Sequence, residues 1–153
     1  MLLTYTRKRE TLFRIVPFIA EFWNTISNLP FILIGFCRLW EGTSLTLLYS
    51  LMICMGVCSG IHHAIRSRWL LILDWIPIII TKGVILQHSY WLHISWTSYL
   101  LGSIATVVLV IDHVYTPIPV PWGHVFWHVL AAFALDNAYQ SIEMEFCKIF
   151  YNK

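Results

Sequence analysis

Apolar positions in this chain cluster into whole segments instead of alternating residue by residue. Five such runs approach the ~20 residues that a helix needs to cross the hydrocarbon of a bilayer. They cover residues 16–39, 45–64, 69–92, 96–114 and 122–140. The breaks carry turn chemistry: Glu41-Gly42-Thr43 is a turn, Arg66-Ser67-Arg68 a short charged loop, and His93 to Ser95 a brief polar interruption. Between Thr116 and Pro121 every second residue is a proline, which no helix can continue through. No internal repeat appears. The pattern predicts one all-α domain over residues 1–153, an integral membrane bundle of about five transmembrane helices.

Composition agrees. Of 153 residues, 58% are hydrophobic and 12% charged, where soluble domains carry roughly 25% charge. Mean hydropathy is +0.69. A soluble chain this small could not bury so much apolar surface in its own core. Eight tryptophans suit helix ends that meet lipid headgroups. A net charge of +2 without a basic helix excludes nucleic acid as a partner. Cys37, Cys54, Cys58 and Cys147 match no zinc or disulfide spacing and are expected to be buried small hydrophobes. The N-terminal stretch shows no signal-peptide pattern.

Polar residues inside apolar spans are costly, so each needs an account. With the N-terminal side of the membrane named face A, the spans alternate in direction. Glu21 then lies one turn into the first span from face A. Ser59 and His63 close the second span at that face, Asp74 opens the third there, and His124 and His128 open the fifth. All fall in one layer beneath one membrane surface. His124 and His128 are i and i+4 and project from one helix face, the spacing of two-histidine metal sites. His63 offers a third imidazole and is favoured over its neighbour His62 because it shares a face with Ser59. Three imidazoles with an open position form the ligand set of a catalytic zinc, and an adjacent carboxylate such as Asp74 can handle the proton of water. Each residue alone has a plainer reading: interfacial histidine, packing serine, or an aspartate paired with Arg66 or Arg68. Their shared layer favours a metal site. His88, His93 and His113 are read as interfacial. Lys82 and Asp136 lie at similar depth near the midplane and are expected to pair.

At these residues the chain resembles the alkaline ceramidase family. The carriers are Phe18-Ile19-Ala20-Glu21-Phe22-Trp23-Asn24-Thr25-Ile26-Ser27-Asn28, Ser59-x-x-x-His63, Leu73-Asp74, and Trp122-Gly123-His124-x-x-x-His128. The resemblance implies zinc bound by His63, His124 and His128, with Ser59 and Asp74 beside it. It also implies hydrolysis of the membrane lipid ceramide to sphingosine and a fatty acid. For a eukaryotic chain it implies residence in the endoplasmic reticulum or Golgi membrane. Two departures stand out. The family is typically seven-helical, and only 50 residues separate Asp74 from His124, so a helical pair is missing there. The family's calcium-binding run before the first helix is replaced by Arg7, Lys8, Glu10 and Leu12. That leaves Glu10 and Glu21 as oxygen ligands for an ion that takes six to eight, so calcium is not expected.

The rival readings are a receptor-like or relic member in which zinc is a structural tie, and a haem protein, which would leave Ser59 and Asp74 unexplained. Positive charge at face A points to the cytosol, whereas the resemblance implies an N-terminus in the lumen.

Overall fold

The computed structural model describes residues 12–91, 94–115 and 122–151. These residues form helices and no strand: α1 (Phe22–Ile26), α2 (Leu29–Trp40), α3 (Thr46–Ile65), α4 (Arg68–Trp91), α5 (Trp96–Tyr115) and α6 (Trp122–Tyr151). Two of them, α3 and α4, are long and apolar enough to cross a membrane. The apolar stretch of α5, Trp96–Asp112, is slightly shorter.

The expected continuous first span is instead broken. Residues 12–21 are not helical, and the Ala20 and Glu21 amides donate to the carbonyls of Ala64 and His63 at 2.9 and 3.1 Å. A second break follows α1. Pro30 lies in the first turn of α2, has no amide to donate, and crowds the turn before it. The Ser27 hydroxyl and the Asn28 side-chain amide both donate to the Asn24 carbonyl, at 3.0 and 2.8 Å, competing with helical bonding. The last helix runs eleven residues beyond the expected end at 140, to 151. Residues 141–151 contain neither glycine nor proline, and Glu145 pairs with Lys148 at 2.7 Å.

The bundle is apolar outside and polar within. Trp40, Trp69 and Trp96 stand at helix ends with 93%, 78% and 76% of their surface exposed. Glu21, Asn24, Ser27, Asn28, Ser59 and His63 are buried. This inversion suits a lipid environment. Cys37, Cys54 and Cys147 are exposed and Cys58 half-buried, so the thiols belong to the outer faces and not to the core. A small apolar side chain is at home against lipid.

Helix α3 packs against α1, α2 and α4, while α5 and α6 form an antiparallel pair and α6 returns onto α2. Gly56 permits a close approach of α2 to α3. A Cβ there would stand 2.9 Å from the Phe31 Cβ and 3.1 Å from the Asn28 carbonyl oxygen. Below it, Phe31, Met52, Tyr49 and Tyr139 are fully buried, with the two tyrosine rings edge-to-face at 5.1 Å. At the far end Glu143 accepts from the Ser44 amide and from the Thr43 and Ser44 hydroxyls. Burial alone would raise the Glu143 carboxyl, but these three donors hold it below the usual range.

The expected Lys82–Asp136 pair does not form. Asp136 accepts two bonds from the Arg38 guanidinium, both 3.0 Å, one from the Tyr49 hydroxyl at 3.0 Å and one from Gln140 at 2.7 Å. Lys82 lies on the exposed face of α4. The bidentate arginine fork fits a carboxylate better than a single ammonium does. In detergent, a thermal-stability cycle of Arg38→Met with Asp136→Leu should therefore show a coupling of about 1–3 kcal/mol. The same cycle with Lys82→Met should be additive, and coupling there would refute the assignment.

Candidate metal centre

The end of α3 and the start of α6 meet at one level of the bundle. His63 lies in the last turn of α3, while His124 and His128 occupy the first two turns of α6. All three are buried, and one ring nitrogen from each falls within 4.8 Å of the others. The His63 and His124 Nε2 atoms are 3.2 Å apart. Ring centroids are separated by 5.0 Å for His63–His124, 5.3 Å for His63–His128 and 4.5 Å for His124–His128. His62 is buried beside His63 but contributes no nitrogen to this group.

Protein groups hold two of the rings from behind. The Glu21 Oε2 lies 2.6 Å from the His63 Nδ1, and a carboxylate only accepts, so the proton is on Nδ1 and Nε2 faces His124. The Ser27 Oγ lies 2.6 Å from the His128 Nδ1. That hydroxyl has one hydrogen, which it donates to the Asn24 carbonyl, so it accepts from His128. His128 therefore also carries its proton on Nδ1 and turns Nε2 toward the cluster. The break between α1 and α2 is what sets Ser27 at this angle. Trp127 packs against both α6 histidines, with ring centroids 5.2 Å from His124 and 4.9 Å from His128.

Ser59 and Asp74 are buried in the same region. The polar groups acting on the Asp74 carboxyl are His63 and Ser59, and its Oδ1 makes no hydrogen bond. Of the two oxygen ligands considered for calcium, Glu10 lies outside the described residues. Glu21 is put to other use: Oε2 meets His63 and the Asn24 amide, and Oε1 accepts from the Arg66 guanidinium.

Three participants escaped the sequence reading. Ser27 stands in the motif of the first apolar run with no role assigned to it, and its partner lies 101 residues away. Arg66 was read as a loop charge. Asp112 of α5 is buried against Gly123, where a Cβ would come within 2.7 Å of its Oδ1. A carboxylate in the fourth apolar run was the available signal for it.

A family model described as Ceramidase matches residues 10–121. The chain belongs to the ceramidase family. Ceramidase membership covers Glu21, Ser59, His63 and Asp74, and the match ends three residues before His124. The α6 histidines thus enter the site on geometry. A search of the curated proteins and one of the solved structures each returned no match. The family places the chain among hydrolases of ceramide-related chemistry associated with membranes.

Because both Glu21 oxygens already accept from His63, Asn24 and Arg66, millimolar calcium should leave the melting temperature of the purified protein unchanged. A rise of several degrees would show that calcium displaces those donors.

Proposed function

We propose that the chain is a zinc-dependent membrane amidase that hydrolyses ceramide to sphingosine and a free fatty acid. The observation carrying this reading is the convergence of His63, His124 and His128 beside Asp74 and Ser59 in a ceramidase-family chain. The donor set fits the ion. Two nitrogens on a tetrahedral zinc, each at ~2.0–2.1 Å, stand about 3.3 Å apart, close to the 3.2 Å between the His63 and His124 Nε2 atoms. Protonation of His63 and His128 on Nδ1 leaves Nε2 as the ligand atom of each. The carboxylate and hydroxyl behind them are the partners that metal-binding histidines commonly have. Bound by these three residues, zinc would supply the Lewis acidity that brings the pKa of water toward neutrality.

The chain's own groups carry the protons. Asp74 accepts a proton from the attacking water, whose oxygen bonds to the amide carbon. Asp74 then returns that proton to the amide nitrogen as the C–N bond breaks, which releases a neutral amine and a carboxylic acid. Once protonated, Asp74 is a weaker acceptor for Ser59 than the charged oxyanion of the tetrahedral intermediate, and the hydroxyl turns its hydrogen to that oxyanion.

The bundle crosses the membrane five times in this reading, with the α1–α2 region as the first crossing. Glu21, His63, Asp74, His124 and His128 then lie just under one surface, near the depth of a ceramide amide. The lipid tails run deeper between the helices. In a eukaryote this substrate places the enzyme in the endoplasmic reticulum or Golgi membrane.

Metal analysis and ceramide turnover on detergent-purified protein test the proposal together. Wild type should hold one zinc and release sphingosine. His124→Ala should lose both properties. Asp74→Asn should keep zinc while kcat falls about a hundredfold or more. Zinc without turnover in wild type, or full activity in Asp74→Asn, would overturn the amidase assignment.

A further inference from the structure

We propose that Arg66 is a positioning residue for the metal centre, fixing the ring of His63 through the carboxylate of Glu21. The inference rests on the zinc reading above and concerns a residue outside the ligand set.

The structure joins the three side chains in line. Glu21 is only 2% exposed. One of its oxygens takes the His63 Nδ1 proton at 2.6 Å and the other accepts from the Arg66 Nη1. A buried carboxylate keeps its charge only beside a compensating cation. Arg66 supplies it from a side chain that is itself 13% exposed. Without that guanidinium, the group holding His63 would be an uncompensated charge among apolar helices.

The backbone supports the assignment. Arg66 caps α3 in the left-handed region, φ 55° and ψ 45°, and its amide donates to the His62 carbonyl at 2.7 Å. Glycine is the usual occupant of such a helix end, since it adopts positive φ without strain. An arginine at this position gives up that advantage, and what it adds is a guanidinium folded back onto Glu21. The Glu21 amide also donates to the His63 carbonyl, so the carboxylate and its histidine are tied by main chain as well.

The backbone conformation makes Arg66→Gly a discriminating variant. If Arg66 served only as a helix cap, glycine would preserve or raise thermal stability and leave zinc binding untouched. As a positioning residue, its loss should weaken zinc binding about tenfold or more and lower the melting temperature of the apoprotein, because Glu21 loses its compensating cation. Arg66→Lys, which keeps the charge, should recover zinc affinity to within a few-fold. Glu21→Gln should show the same loss as Arg66→Gly, and the double variant should lose little more, because both act along one path. Zinc titration with competing chelator reads all of these, and the cobalt(II) ligand-field spectrum reports the geometry. Unchanged zinc affinity in Arg66→Gly, or losses that add in the double variant, would overturn the proposal. If Arg66→Gly does not fold, Glu21→Gln with wild-type affinity would overturn it equally. A wild-type protein that binds no zinc would sink the zinc reading along with it.

Discussion

A carboxylate buried inside a bundle of apolar helices must be matched on every side, and Glu21 sets the terms for the rest of the site. Its two oxygens reach His63, Asn24 and Arg66, which brings three elements to one point: the segment before α1, the end of α3, and the turn into α4. Main-chain bonds from Ala20 and Glu21 to Ala64 and His63 lock that junction. Desolvation makes the arrangement all-or-none, because leaving out any donor strands a charge where water cannot reach it. His63 consequently meets the α6 histidines with its proton already placed.

The same logic explains why the first apolar run is not one helix. A continuous helix would have carried Ser27 and Asn28 past the cluster as ordinary in-span polar residues. Pro30 and the competition for the Asn24 carbonyl interrupt it, and the interruption aims Ser27 at His128. Gly56 lets α3 come close to the start of α2, next to the break that positions Ser27. At the other end of the bundle, Arg38, Tyr49, Gln140 and Asp136 form a second satisfied polar group that joins α2, α3 and α6. The histidine helix is thereby fixed at two depths, one at the candidate site and one near the opposite end.

Much of this was legible in the sequence because spacing and depth are linear quantities. Helix boundaries for α3, α4 and α5 follow from where apolar runs meet Gly42, the Arg66–Arg68 loop and the proline run. The His124–His128 spacing and the shared layer of His63, Asp74 and Glu21 need only a helical rise and an alternating path. Pairing across the bundle was not legible. Depth along the chain matched Lys82 to Asp136, whereas the rotation of α2 gives that carboxylate to Arg38. That Glu21 serves a histidine and an arginine depends on a left-handed residue at the end of α3, which no periodicity reveals. Pro30 carries a signal for the break at Ser27, and an apolar run of spanning length over residues 16–39 conceals it.

X-ray absorption at the zinc edge of the purified, detergent-solubilised protein tests the central claim most directly. The account predicts one zinc with imidazole scattering at about 2.0–2.1 Å and no sulfur neighbour. Its three rings should come from His63, His124 and His128, with the fourth position held by a light oxygen ligand. A sulfur shell at about 2.3 Å, or stoichiometric zinc with fewer than three imidazoles, would contradict it.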